Sequence, residues 1–442
     1  MMLGSLLCAV ALSADFGADL RVRQEMFDHI PALPGGGVLN GNRRTDFKTH
    51  LRFRPRFWGE LKGETASGVK ARLYARFTDE FRWYVKPSSP EPYSWPDEVI
   101  IDNLFLELTD LFDGFVDLSL GRQDLFGLYG LDHLFVDGTP GDGSRTTYAD
   151  MVRIALKFTE TRRLDFFGLY NFDDNALRLG TERGKHRSMT GFGGGAEADM
   201  DDWGFGVIYS DKLAKDVPYQ LVLAQKNTEE FIRRGVQHPW TQREFFGAKV
   251  MPRLDEEWSL QFEAMGQVGR NGEGDTLWGA STYAAVNWKS AREGVKPFGK
   301  FGYHVMSGDD DAAIEDGGHG AWDPMWARGV NDSEGFLYGT HYGAAWWSNM
   351  HYAKLTAGLD LGKRHTFTAS CGPMFAAAQD GLGGGDGYFK GFLSQVRYDF
   401  PLFAADRFEI FGHALAEFFN PGDYFETDKP SWFLRWQLDI KF

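Results

Sequence analysis

Three arginines, Arg52, Arg54 and Arg56, stand two residues apart and alternate with Leu51, Phe53 and Phe57. A period of two puts all three on one face of an extended strand. The preceding segment repeats the arrangement, with Arg21 and Arg23 against Leu20 and Val22, and the following one carries Lys70, Arg72 and Arg76. The last segment of the chain adds Arg435 and Lys441. Guanidinium stays protonated at any physiological pH and meets a carboxylate in a two-pronged fashion. Cations on adjacent strands repel one another, so such a row needs acidic neighbours or an anionic ligand. Two readings follow, and both can hold in part. Glu107, Asp117, Asp124, Glu263 or Asp399 cross the interior to neutralise the row, or the row lines a conduit for anions. Pro55 interrupts the cationic segment and marks a bulge or a rim, because it has no N–H for a strand ladder.

Other chemistry is thinly represented. The eleven histidines are scattered, with no HExxH spacing and no GxSxG elbow, so no enzyme is expected. The glycine-rich stretch 137–144 lacks the lysine of a phosphate loop, and the acidic stretch 308–311 lacks EF-hand spacing. No cofactor is expected, and the acidic stretch reads as a solvated or lipopolysaccharide-facing loop. Cys371 shares a strand face with Phe367, Ala369 and Phe375 and reads as a small buried or lipid-facing side chain.

The elements that hold the arginines are strands. Residues 432–442 alternate Trp432, Leu434, Trp436, Leu438, Ile440 and Phe442 with polar partners, over the ~10 residues that cross a bilayer as a tilted strand. Residues 69–78, 116–122, 152–158 and 258–265 repeat the pattern. Short turn-like pieces at 62–64 and 255–257 contrast with long Gly/Asp-rich pieces at 307–320 and 381–387, an asymmetry typical of membrane barrels. At about 24 residues per strand and connection, the chain makes roughly 18 antiparallel strands, with 16 as the alternative. The fold class is therefore an all-β transmembrane barrel. A barrel that wide cannot fill its interior with strand side chains, so its lumen holds water or folded-in loops. No fixed-period repeat and no linker divides the chain, so residues 15–442 read as one domain.

Residues 1–14 read as a secretory signal that lacks a positive start and takes Cys8 with it, leaving no pair for a disulfide. The formal charge of -15 argues against nucleic-acid binding. That charge is unevenly spread. Residues 20–76 hold twelve Lys/Arg against five Asp/Glu, whereas residues 301–350 hold eight acids and only Arg328.

The segments Asn103-Leu104-Phe105-Leu106-Glu107-Leu108, Leu120-Gly121-Arg122-Gln123-Asp124-Leu125, Asp137-Gly138-Thr139, Gly143-Ser144-Arg145-Thr146 and Asp150-Met151-Val152-Arg153 resemble the alginate export family of outer-membrane barrels. The resemblance covers a short part of the chain well, and the remainder in strand rhythm and length. It implies an 18-stranded monomeric barrel in the bacterial outer membrane, with an arginine-rich constriction that passes an anionic polysaccharide. It adds Arg122, Arg145 and Arg153 to the pore candidates, with Glu107 and Asp124 as counter-charges. The aromatic end of the chain also resembles the terminal strand that the barrel-assembly machinery reads, which makes Phe442 its contact. The expected function is passive passage of anionic solutes, most of all acidic poly- or oligosaccharides. A plugged surface-binding or adhesion barrel acting through its loops is the alternative, and an outer-membrane hydrolase a more distant one. Expected partners are outer-membrane lipid and lipopolysaccharide and the anionic saccharide, with room for a periplasmic export partner.

Overall fold

The computed structural model describes residues 11–29, 48–86, 93–94, 98–123, 148–171, 178–180, 201–233, 236–310, 320–326, 335, 337, 348–380 and 383–442. Eighteen long strands form the wall. In chain order they are β1 (Ala11–Asp28), β2 (Lys48–Glu64), β3 (Lys70–Thr78), β4 (Glu98–Asp110), β5 (Val116–Gln123) and β6 (Ala149–Lys157). Then follow β7 (Arg163–Asn171), β8 (Asp202–Ala214), β9 (Val217–Thr228), β10 (Thr241–Val250), β11 (Trp258–Asn271) and β12 (Thr276–Lys289). The last six are β13 (Lys296–Met306), β14 (Met350–Gly362), β15 (His365–Phe375), β16 (Phe389–Ala405), β17 (Phe408–Pro421) and β18 (Ser431–Lys441).

Each strand pairs antiparallel with its sequence neighbour, and β18 returns to β1 through Asp19↔Lys441 to Asp28↔Trp432, which closes the barrel. Closure satisfies the backbone without help from solvent. Among the described residues no helix is long and apolar enough to cross a membrane.

Alternation decides which face of each strand meets lipid. On β9, Leu221 and Leu223 are exposed while Val222, Ala224 and Lys226 are buried. On β18, Leu434 and Trp436 are exposed and Phe433, Arg435 and Gln437 are buried. Phe57, Leu73, Leu120, Phe246, Phe301, Leu355 and Val396 extend the exposed belt around the wall. A contiguous apolar belt of that kind is stable only against hydrocarbon. Cys371, between Phe367 and Phe375, lies on this outer face.

Connections are short at one end of the barrel and mostly long at the other. At 363–364 both turn residues, Lys363 and Arg364, have positive φ (48° and 67°), the primed two-residue hairpin that matches strand twist. The turn before β3 spans 65–69 instead of the 62–64 read from sequence, because Lys62, Gly63 and Glu64 stay paired with β1. β1 itself includes Ala11 to Ala14, the end of the segment read as an export signal.

Pro55 makes no bulge against β1, where the register runs unbroken through Leu20↔Pro55. On its other side it falls between two partners, β3 opposite Arg56 to Glu64 and the short strand Phe81–Lys86 opposite Thr49 to Phe53. Its carbonyl accepts the Asp79 N–H there at 3.2 Å, and the missing proline N–H costs no ladder rung.

Candidate functional site

The register brings the arginines side by side. Arg21 lies opposite Arg54 and Arg23 opposite Arg52, with Asp19 opposite Arg56, all on the lumenal face of β1 and β2. Arg23, Arg54, Arg56 and Arg435 are each less than a tenth exposed. Glu25 organises the group. Its carboxylate accepts bonds from Arg435 Nη2 at 2.7 Å and Arg52 Nη1 at 2.9 Å, contacts Arg23 Nη1 at 3.3 Å, and lies 2.9 Å from His50 Nε2. Asp439 takes Arg21 Nε at 2.7 Å, Asp19 lies 3.5 Å from Arg54, and Glu80 takes Arg52 at 3.0 Å. Across β18, β1 and β2, six guanidiniums (Arg21, Arg23, Arg52, Arg54, Arg56 and Arg435) thus face five carboxylates among the described residues, Asp19, Glu25, Glu80, Asp439 and, beside Arg56, Asp102. A positive excess remains on that wall.

β3 continues it toward the short-turn end. Arg76 bonds Asp102 at 2.9 Å, Arg72 bonds Glu60 at 2.8 Å and reaches Glu107 at 3.7 Å, and Lys70 holds Asp110 at 2.9 Å. Lys441 lies exposed at the end of β18, clear of the buried row.

The expectation that acids cross the lumen to reach the row needs correction. Asp117 bonds Lys157 at 2.7 Å, Glu263 bonds Lys249 at 2.9 Å, and Asp399 holds Arg397 two residues away on its own strand at 2.7 Å. Of the five acids named from sequence, only Glu107 lies near the row, and Asp124 is outside the described residues. The counter-charges come from the same or adjacent strands, since cross-strand neighbours sit only ~5 Å apart. Alternation carried the signal for two of them: Glu25 follows Arg21 and Arg23 on the odd face of β1, and Asp439 follows Arg435 on β18.

Arg122 and Arg153 occupy the next part of the wall as paired residues. Arg122 clamps Asp150 through two bonds of 2.8 Å, stacks 4.3 Å from the Tyr148 ring and donates to the Ile101 carbonyl. It is buried although Leu120, two residues earlier, is exposed. The alternation slips at Gly121, whose φ of +123° and 2.3 Å approach of a would-be Cβ to the Leu104 carbonyl oxygen admit only glycine. Arg153 bonds Asp165 at 2.7 Å. Arg145 lies outside the described residues.

The opposite wall is lined by a loop. In an 18-strand ring β10 stands nine strands from β1 in either direction, and there the segment 320–326 of the β13–β14 connection folds inward. Trp322 packs edge-on against Phe245 of β10, and Trp326 against Phe167 of β7. Lys226 donates to the Met325 carbonyl at 2.8 Å and lies 3.6 Å from Asp323, which also faces Arg243 at 3.5 Å. Gln267 donates to the Ala321 carbonyl at 3.0 Å. Burial alone would raise the Asp323 carboxyl, yet Lys226 and Arg243 hold it below its ordinary range. Asp309, in the acidic stretch read as a solvated loop, is buried, and its carboxylate accepts the Gly320 N–H at the base of this segment. Leu337, further along the connection, donates its N–H to Glu417 of β17 at 2.7 Å. Sequence left open whether loops enter the lumen; these contacts place one there.

No family model matches the chain, and no curated protein matches it by sequence. Solved structures match it over almost its whole length. The OccAB1 structure from Acinetobacter baumannii is 9% identical with a TM-score of 0.56 and covers 97% of both chains. The outer membrane protein opdK from Pseudomonas aeruginosa is 11% identical at 0.55, covering 97% of this chain and 99% of its own. The outer membrane protein OprD from the same organism is 10% identical at 0.54, covering 97% and 94%. The fold is that of the outer-membrane porins. With its exposed apolar belt, the closed 18-strand barrel is a protein of the bacterial outer membrane.

Proposed function

We propose that the barrel is a passive channel for anionic solutes, with carboxylated oligo- or polysaccharides as the class it serves. The excess of guanidinium over carboxylate on the lumenal face of β18, β1 and β2 carries this reading. Counter-charges already beside each arginine let an arriving carboxylate exchange partners instead of being trapped, as permeation requires. The chemistry is electrostatic selection, with no covalent step. Its partners are the outer-membrane lipids, lipopolysaccharide and the solute, and a single barrel suffices.

The test is the reversal potential in a salt gradient across a planar bilayer. Local charges govern a narrow low-dielectric passage, whereas distant loop acids are screened beyond a Debye length of ~8 Å. The wild-type channel therefore prefers chloride over potassium despite a net charge of -15. Replacing Arg54 and Arg72 with Glu weakens or inverts that preference in a barrel that still migrates as folded on unboiled gels. A cation-selective wild-type channel, or a double variant of unaltered selectivity, overturns the reading.

A second reading is a plugged binding or adhesion barrel, favoured by the inward segment 320–326. It differs in one observable: a plugged barrel shows no channels.

A further inference from the structure

The outer wall of β8 to β12 carries a polar patch above its apolar belt. Register sets two adjacent outward rows there. The upper row runs Trp203, Asn227, Gln242, Arg270 and Thr276, and the lower row Phe205, Gln225, Glu244, Val268 and Trp278. The next row down the same strands is Val207, Leu223, Phe246, Gly266 and Ala280, with no polar side chain. Glu244, Arg270 and Thr276 are exposed, and the amides of Gln225, Asn227 and Gln242 half-buried. The lumenal side chains Lys226, Arg243 and Gln267 occupy the alternate positions, so this patch faces away from the channel.

Its place and its unmet charges call for a partner. Asn227, Gln242 and Arg270 each stand one residue from a strand end on the long-loop side, which faces the cell exterior in membrane barrels. The polarity is local: on β15 and β16 the exposed outward residues near that end are Phe375 and Phe392. Ionisable and amide groups at a lipid-facing wall are costly unless something meets them. Gln225 donates to Asn227 at 3.1 Å and Gln242 to Glu244 at 3.0 Å, which orients the amides along their strands. Arg270 and Glu244 lie on neighbouring strands without pairing, and among the described residues neither meets an opposite charge. The Arg270 guanidinium lies instead 5.8 Å from the Trp240 ring centroid. Trp240 is itself seated on Gly272, whose N–H donates to its carbonyl at 2.9 Å and where a Cβ would stand 2.9 Å from the indole.

We propose that this patch binds the headgroup of lipopolysaccharide, a phosphorylated glucosamine disaccharide. Arg270 meets a phosphate, which suits the geometry of the guanidinium fork. The three amides and the Glu244 carboxylate meet sugar hydroxyls and amide N–H groups. The acyl chains descend over Leu223, Phe246 and Ala280, and Trp203, Trp240 and Trp278 frame the site at the level where indoles favour the membrane interface. From β9 to β11 the patch spans two strand spacings, about 10 Å, the width of a disaccharide. A glycerophospholipid would offer the phosphate but no sugar groups to the amides. The inference concerns the outer wall and is independent of what the lumen passes.

The experiment measures lipid binding to the full-length barrel in detergent by native mass spectrometry, with three probes: lipid A bearing both phosphates, the same lipid A dephosphorylated, and phosphatidylglycerol. The wild type holds one phosphorylated lipid A about tenfold more tightly than either other probe, the scale of one charge-assisted hydrogen bond. Arg270→Gln abolishes that preference and leaves binding of the dephosphorylated form unchanged. Gln225→Leu with Gln242→Leu weakens both forms of lipid A and leaves phosphatidylglycerol unchanged. Unboiled gel mobility verifies folding, and if the double variant does not fold, Arg270→Gln decides alone. Equal binding of the three probes, or an Arg270→Gln barrel indistinguishable from wild type, overturns the site. A wild-type dimer that Arg270→Gln dissociates also overturns it and gives the patch to a second copy of the chain.

Discussion

Glu25 and Arg435 stand 410 positions apart in the chain, and the Glu25 carboxylate accepts the Arg435 Nη2–H at 2.7 Å across the seam where β1 meets β18. Both side chains are buried on the lumenal wall. The pair therefore both closes the barrel and offsets the charge of the arginine row.

Replacing Glu25 with Gln removes the charge shared by Arg23, Arg52 and Arg435. It takes one carboxylate partner from two buried guanidiniums and from the half-buried Arg52, which retains Glu80. Breaking a buried ion pair by deleting one member costs about 3–5 kcal/mol. The Glu25→Gln barrel should unfold at lower temperature in detergent, read as the temperature at which its gel mobility shifts, and its residual channels should prefer anions more strongly. An unshifted temperature would mean that the seam does not depend on this carboxylate.

Lys226 holds the inward segment through both a backbone carbonyl and a carboxylate. It donates to the Met325 carbonyl and faces both Asp323 and Asp202, the last at 3.8 Å. A hydrogen bond from a charged donor contributes about 1.5–3 kcal/mol, so Lys226→Met should loosen segment 320–326 by that order. Single-channel conductance should rise and its open level become noisier, with Trp322 and Trp326 more accessible to a lumenal quencher. Unchanged conductance would place the narrowest point elsewhere.

The seam also involves Phe442. Its N–H donates to the Ala18 carbonyl at 2.9 Å, and its exposed ring lies 5.3 Å from that of Phe408. On the proposal that the assembly machinery reads this aromatic, Phe442→Ser should lower the yield of folded barrel in the membrane while total synthesis stays level. Equal yields by protease protection would remove that role.

One pH effect belongs to the turns outside the membrane. Glu257 accepts the Ala291 N–H at 2.8 Å and the Trp288 Nε1–H at 3.1 Å, which ties the β10–β11 turn to the β12–β13 turn. The Ala291 amide, with the indole second, holds its carboxyl below the usual range. A depressed carboxyl contributes stability above its unfolded pKa of ~4.3 and loses it as pH falls through the lower folded value. Protection of the Ala291 amide from hydrogen exchange, corrected for intrinsic rate, should persist through pH 4.3 and fade only in stronger acid. Glu257→Gln should flatten that dependence.

The sequence by itself determined the strands, their two faces and the barrel they close. The reason is physical: a lipid-facing strand must place an apolar side chain at every second position, so Leu434 and Trp436 declare the outer face and Arg435 the inner one without any tertiary information. The same parity put Arg21, Arg23, Arg52, Arg54 and Arg56 together in the lumen. The slip at Gly121, which buries Arg122 after an exposed Leu120, was beyond parity because a backbone φ has no signature in a period. The partners of the arginines were decided by register, since a shift of one residue between β1 and β2 would take Glu25 away from His50 and Arg52. Tertiary structure alone decided what fills the opposite wall. The acidic stretch 308–311 reads as a solvated or lipopolysaccharide-facing loop, and only the folded barrel brings the lumenal Lys226, Arg243 and Gln267 of three adjacent strands against Ala321, Asp323 and Met325 of the same connection.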